Sequence, residues 1–553
     1  MGRINSGDGV EHTTPNGAAN GVGAKRPVVD GQRDGFMGLW QGQKSTVIVF
    51  VLTVLFLIHY IARPLLPPTA TELATQKPSN LHVVIPASKA DPNLCKVLLS
   101  AAILGYPSPA IINWQKDFSD GSLVEGGSHL AKISGVYEYL ASFDETHEDD
   151  LVLMVDGFDI WFQLRPQTLI DRYFDVNRRA DQRIRNELGP AAEKYGIRQE
   201  IIFGCQKRCW PWTFDDPPCY AVPESNLPKD IYGPETDTDV GNEENPYIKY
   251  RQRFLNSGVG MGTLRAMRKM FGQALAQAEK ERNFGSDQFI FSHIFGDQQV
   301  WREVLRRDSM SARQKMQHKW RGPPANRNYN EKHLTEVVEK AKTREDGNFE
   351  FGIGVDYESK IGLNTVFAED DTEWVHFNDE AQLRDVQASR SIDPTTGHLQ
   401  GIEADIDASL PPFWTFSYEK DLPRWTSWRN VSLFTDVWTG VTPAIIHHNA
   451  HRNGLKSLRE TWWPNIWFQN HSRTLLDAHI YAPVVPIAYS GYDNATAREF
   501  WPYDIWKGGA RNGYAALGSS GGDNWIKFDD VCEAYHEEIW RDGKGAWVLP
   551  LVH

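Results

Sequence analysis

Residues 151–162 read LVLMVDGFDIWF. Five consecutive apolar residues bounded by polar ones fit a strand buried on both faces. That strand ends directly on Asp156, Gly157 permits a tight backbone, and Asp159 follows before a second apolar and aromatic run. Two carboxylates at the end of a buried strand offer hard oxygen ligands to a divalent cation and leave other positions open. An isolated Asp-x-x-Asp is more often a cap or a turn, so its surroundings decide the matter.

Upstream, residues 82–87 (HVVIPA) read as a buried strand, with Asp91 and Pro92 as cap and first residue of a helix. Leu94, Val97, Leu98, Ala101 and Ala102 recur at helical spacing and Gly105 ends the helix. Residues 110–114 form a second strand, and Leu130, Ile133, Tyr137 and Leu140 mark a second amphipathic helix before the strand at 151–155. Strand, helix, strand, helix, strand predicts an α/β fold with a mostly parallel, Rossmann-like central sheet flanked by helices. Ligands on such sheets bind outside the carboxyl ends of the strands, which is where Asp156 falls. Downstream, residues 201–203, 254–260, 352–356 and 444–446 are expected as strands and 286–295 as a helix with an acidic start. The polar stretches 224–247 and 311–347 read as surface insertions.

Residues 46–62 (TVIVFVLTVLFLIHYIA) contain no Asp, Glu, Lys or Arg and have no polar face, which predicts a membrane-spanning helix. Lys25, Arg26, Arg33 and Lys44 precede it, whereas only Arg63 and the more distant Lys77 follow closely, so the N-terminus is expected in the cytosol. The expected order is a cytosolic tail without fixed structure (1–44), a signal-anchor (45–63), a stem (64–80), a catalytic domain (81–476) and a C-terminal extension packed on it (477–553). The chain is thus expected to be a single-pass type II protein of the Golgi or endoplasmic reticulum membrane with its catalytic domain lumenal. Three sequons, at Asn430, Asn470 and Asn494, fall on that side.

A formal charge of −14 and the absence of a basic stripe argue against nucleic acid as a partner. Twenty Trp point to large buried or ligand-facing aromatic surfaces. Five cysteines suit one or two bridges in a lumenal domain and leave at least one thiol unpaired. Cys205-x-x-x-Cys209 lacks the further ligands a zinc site needs, so a bridge from Cys209 or Cys205 to Cys219 is expected instead.

Six ordered segments over residues 81–456 carry a resemblance: VDGFDIWF at 155–162, IIFGCQKRCWP at 201–211, FLNSGVGMG at 254–262, Ser286-Asp287-Gln288-Phe289, Gly354-Val355-Asp356-Tyr357, and His451-Arg452-Asn453-Gly454 with Lys456. The chain resembles GT-A glycosyltransferases of the kind found as the glycosyltransferase domain of lysyl hydroxylases and in procollagen galactosyltransferase-like proteins. The resemblance implies a GT-A-like fold and a metal-dependent hexosyltransferase. It would take its hexose from a nucleotide sugar, with UDP as the expected nucleotide, and pass it to a glycan, glycoprotein or glycolipid. It implies metal ligation, usually of Mn²⁺, by Asp156, Asp159 and His451, the last ranked above His447 and His448 because Asn453 and Gly454 follow it. Asn256, Ser257 and Gly258 would approach the donor sugar, and Asp287 and Gln288 would contact acceptor or donor, with Asp287 the first candidate for a base. Lys132 and Lys456 are candidates for the diphosphate and Ser88 for the nucleotide, together with the backbone around Asn453 and Gly454. Arg452 stands where the family has Gly, and residues 477–553 match nothing in it. A second copy of the chain is the expected protein partner. The competing readings are a membrane-tethered carbohydrate-binding or scaffold protein that has lost turnover, and a metal-dependent phosphohydrolase, which would ordinarily need more ligands.

Overall fold

The computed structural model describes residues 77–117, 129–280, 284–321, 329–395, 397–449, 455–491, 497–503, 514–518 and 523–547. The apolar run 46–62 and the tail before it lie outside the described residues, and among the described residues no helix is long and apolar enough to cross a membrane.

The predicted opening is present. Strands β1 (Ser79–Pro86), β2 (Ala110–Trp114) and β3 (Leu151–Val155) alternate with helices α1 (Pro92–Ile103) and α2 (Leu130–Ala141). Asp91 caps α1 by accepting from the Asn93 N–H, with Pro92 at the first position, where a missing N–H costs nothing. β1 pairs in parallel with both β2 and β3.

Beyond β3 the sheet changes character. Strand β4 (Ile160–Phe162) leads into the long helix α3 (Pro166–Leu188), then β5 (Ile201–Gln206) and β6 (Phe254–Thr263), which is antiparallel to both β3 and β5. Helices α4 (Leu264–Lys280) and α5 (Asp287–Asp308) precede β7 (Ile353–Val355) and β8 (Gly362–Asn364), both parallel to β5. A separate antiparallel pair, β9 (Thr372–Val375) and β10 (Leu433–Asp436), precedes β11 (Ile445–His447) in sequence. β11 lies between β8, to which it is parallel, and β4, to which it is antiparallel.

After helix α6 (Ser472–Ile480), strands β12 (Ala488–Ser490), β13 (Arg498–Pro502), β14 (Tyr514–Gly518) and β15 (Asp523–Ile526) return to the sheet. β13 runs parallel to the start of β1, and β14 parallel to β2. The result is one large mixed sheet in the order β15-β14-β2-β1-β3-β6-β5-β8-β11-β4, with helices packed on it. Residues 477–553 therefore supply strands to the sheet edge next to β2 rather than only covering it from outside.

Two disulfides are present. Cys209–Cys219 is one of the two pairings expected, and Cys95 of α1 bonds Cys532 at the end of helix α7 (Phe528–Cys532), which the sequence did not suggest. Cys205 is the free, buried thiol. Of the sequons, Asn430 and Asn470 are exposed, and Asn494 lies outside the described residues.

Beside the sheet, Asp436 at the end of β10 sits among charged groups. Burial, then the charge of Asp371, pushes its pKa up to about 7, against two backbone N–H groups, from Trp438 and Thr439, that favour the carboxylate. Asp371 itself is paired with Lys207 at 2.6 Å. A carboxyl group with a raised folded-state pKa favours the fold fully below its unfolded value and loses that favour as pH rises through the folded value. Between pH 4 and pH 7 the native chain should therefore lose stability that an Asp436→Asn variant keeps. The differential is on the order of 3–4 kcal/mol at about 1.4 kcal/mol per pKa unit. Urea unfolding of both proteins at pH 4 and pH 8 measures it.

Candidate metal and substrate cleft

Asp156 and Asp159 flank the turn between β3 and β4. Both are fixed by backbone ladders: the Asp156 N–H donates to the Gly258 carbonyl at 2.9 Å, and the Asp159 carbonyl accepts from the His448 N–H at 2.7 Å. Gly157 between them passes so close to β1 that a Cβ would stand 2.6 Å from the Pro86 carbonyl oxygen. The turn thus needs glycine for space, and this presses the two carboxylates against the sheet's carboxyl edge.

His447, the last residue of β11, completes the group. Its Nε2 stands 3.6 Å from Asp156 Oδ2 and 3.5 Å from Asp159 Oδ1, while Nδ1 meets the Asn364 Oδ1 at 2.7 Å. Because a carbonyl oxygen only accepts, Nδ1 carries the proton, and the Nε2 lone pair is left on the side of the two carboxylates, where a cation between the three groups would take it. Asn364 is itself held by donating to the Cys205 carbonyl. This is the second layer of support that a ligating imidazole ordinarily has. The three ligand atoms lie within 4.8 Å of one another, and an O,O,N donor set fits a cation such as Mn²⁺.

The register matters as much as the residue types. Opposite the ring, on β6, a Cβ at Gly258 would come 2.0 Å from His447 Cε1. Gly258→Ala is therefore expected to displace the imidazole and to weaken cation binding at least tenfold, with the far-ultraviolet circular dichroism unchanged. Isothermal titration with Mn²⁺ reads the first and a spectrum the second.

Lys132 of α2 reaches under the same carboxylates. Its Nζ is 2.7 Å from Asp156 Oδ1, 2.8 Å from Asp287 Oδ2 and 2.9 Å from the Ser257 carbonyl. Burial works to lower its pKa, but the charges of Asp156 and Asp287 and the hydrogen bonds to them outweigh that, so the ammonium is held charged. Asp287, at the start of α5, is depressed in turn: burial raises it, and Lys132, then His129, more than compensate. Asp159 is depressed as well: burial works to raise it, and the His447 ring in its protonated form, then Lys456 and Arg459, outweigh that.

The three carboxylates and His447 line a polar cleft of about 440 Å³ at the sheet's carboxyl edge, with Lys132 behind its wall. That volume falls in the range of small-molecule sites. Asp156, Asp159, Asn256, Ser257, Gly258, Asp287, Gln288 and Lys456 all face it, as do His447, Arg208 and Trp210. Lys456 Nζ stands 3.6 Å from Asp159 Oδ2 at an exposed rim. Asn256 and Gln288 are less free than expected: Asn256 donates to Gln206 and Gln288 and accepts from the Gly258 N–H. Gln288 also donates to the Trp210 carbonyl. Ser88 follows β1 at the same edge but is not among the cleft's lining residues. His451, Asn453 and Gly454 lie outside the described residues.

A second group, His82, His147 and Asp150, also brings three ligand atoms within 4.8 Å. It sits where β1 and β3 begin, away from the cleft. Asp150 accepts from His82, His147 and both nitrogens of Asn80, and His82 Nδ1 meets the Tyr139 hydroxyl. Burial works to raise the Asp150 pKa, and these hydrogen bonds bring it down to about 2. Every ligand atom there already has a partner, whereas His447 Nε2 faces two carboxylates across an open cleft. The sequence was compared with protein-family models and with curated proteins. Neither comparison gives a match.

Sequence reasoning placed both aspartates, Lys132 and Asp287 in one neighbourhood, and they do converge. It ranked His447 below His451 because ranking rested on the residues that follow. The signal that finds His447 is its position: it ends a short apolar strand, as Asp156 does.

Proposed function

We propose that the chain is a metal-dependent glycosyltransferase of the GT-A type, transferring a hexose from a nucleotide-sugar donor, with UDP the expected nucleotide, to a glycan, glycoprotein or glycolipid. The observation that carries this reading is the convergence of Asp156, Asp159 and His447 Nε2 at the carboxyl edge of an α/β sheet, in a polar cleft with Lys132 behind them. Asp156, Asp159 and His447 would hold the cation, which when bound neutralises a diphosphate leaving group. Asp159 is kept ionised by its surroundings and so would serve as a ligand rather than a proton donor. Asp287, ionised and near the cleft floor, is the group placed to accept a hydrogen bond from an acceptor hydroxyl. The apolar run 46–62 supports a type II arrangement in a Golgi or endoplasmic reticulum membrane, with the cleft on the lumenal side.

The test is binding and hydrolysis of a panel of UDP- and GDP-sugars by the full chain with Mn²⁺, alongside Asp156→Ala and Asp159→Ala. Metal-dependent binding of at least one donor, lost in both variants, supports the reading. Absence of donor binding, or turnover that both variants retain, rejects it.

A further inference from the structure

At the opposite edge of the sheet, exposed apolar side chains are concentrated in two segments. Phe416, Tyr418 and Trp425 come from residues 410–425, and Tyr481, Val484 and Tyr489 from residues 481–489; each is at least 45 % exposed. The segments meet at a groove walled by Tyr106, Trp414, Phe416, Val484, Ile487 and Pro502. The Arg424 guanidinium lies over the rings of both Trp414 and Trp425, joining the exposed Trp425 to the groove. The groove's volume of about 120 Å³ is well below that of a small-molecule site, whose usual lower bound is roughly 300 Å³. A patch of this kind around so shallow a groove suits a surface partner rather than an enclosed ligand.

The course of the chain says which surface. β1 enters the fold here: Ser79 pairs with Phe500 and Leu81 with Pro502, a groove wall, and the Ile487 N–H donates to the Phe500 carbonyl. Only residues 63–76 separate the apolar run from the first described residue. Fourteen residues span at most about 50 Å when fully extended. The cleft opens beyond the other end of β1, roughly 26 Å away at strand rise. Tyr and Trp with an adjacent Arg are the side chains that settle at a lipid headgroup boundary. Lys420 and Arg424 are offset by Glu419 and Asp421, and Arg165 in the groove is committed to the carbonyls of Leu410, Pro411, Pro412 and Trp414, so the patch does not demand anionic lipid.

The geometry points to this aromatic face as a docking surface for the bilayer, lying against zwitterionic headgroups and turning the cleft away from the membrane. The inference rests on the reading of residues 46–62 as a membrane anchor. It further implies that the acceptor reaches the cleft from the aqueous side, as a protein or soluble glycan does.

The experiment uses the full chain in phosphatidylcholine vesicles with an environment-sensitive fluorophore attached through Trp425→Cys. Tyr418→Cys serves as a second reporter, and Phe214→Cys, 74 % exposed on a different part of the surface, as the control. Cys205 is buried and the other cysteines are bonded, so labelling is confined to the introduced thiol. Lipids brominated on the acyl chain should quench the probes at 425 and 418 at least threefold more than the probe at 214. A chain that floats with the vesicles but shows equal quenching at all three positions overturns the docking surface and leaves the anchor standing. A chain that does not float overturns both. Emission at 425 that ignores vesicles but shifts with a soluble oligosaccharide, or with protein concentration, also overturns it, in favour of a glycan or a second copy of the chain.

Discussion

His447→Ala is expected to lower Mn²⁺ affinity by about 100-fold or more, beyond the 10- to 100-fold cost typical of removing a group that only supports a ligand. His447 Nε2 stands 3.5–3.6 Å from both motif carboxylates, with its proton committed to Asn364 on the other side of the ring. Asn364→Leu should lower affinity less, because the imidazole stays but its orientation loosens. Titration of Mn²⁺ into the full chain, followed by water-proton relaxation, measures all of these. His451→Ala belongs in the same series. If it removes binding while His447→Ala does not, the ligand is the histidine that the family resemblance singles out, and His447 serves the fold.

The second large effect is on stability. Lys132→Met removes what is, among the described residues, the one cation lying within 3 Å of both Asp156 and Asp287, and leaves the buried Asp287 carboxylate without its partner beside the part-exposed Asp156. Breaking a buried pair by deleting one partner typically costs 3–5 kcal/mol, because the remaining charge keeps its desolvation penalty without compensation. A destabilisation of roughly that size is expected in urea unfolding followed by tryptophan fluorescence. Millimolar Mn²⁺ should recover part of the loss, since a cation between the carboxylates replaces the charge that the ammonium supplied. A variant as stable as the native chain would mean that the carboxylates do not depend on Lys132.

The first half of the sheet was legible because its signals are local. Apolar runs of five or six residues, a capped helix between them and a glycine at its end fix β1, α1, β2, α2 and β3, and the Asp pair follows from where β3 stops. Lys132 was legible as a helix residue near the site, although its depth was not: only the fold shows that the side chain runs under the carboxylates. The antiparallel insertion of β6 was not legible, because strand direction depends on the partner and residues 254–263 read equally well either way. The same holds for β13 and β14, whose short, weakly alternating sequences gain their meaning from pairing with β1 and β2 more than 400 residues earlier, and for β12 and β15, which pair with them in turn. The place of His447 was hidden because it comes from lying beside Asn364 in the β8–β11 ladder and opposite Gly258, a contact that no spacing along the chain encodes; His451 lies outside the described residues.

The Cys95–Cys532 bond gives the molecule a property that its sheet alone would not. It ties α1 to α7 across a separation of 437 residues, so that every peptide bond between the two cysteines lies inside one covalent ring. A protease cutting once within that ring releases nothing until a reductant is added. A nicked molecule would migrate as a single species without reductant and as two with it. Removing the C-terminus before residue 532 would open the ring and leave the Cys95 thiol in the core without its partner, while also stripping strands from the sheet edge. Residues 95 and 532 are thereby held in one covalent unit even after the chain between them is cut.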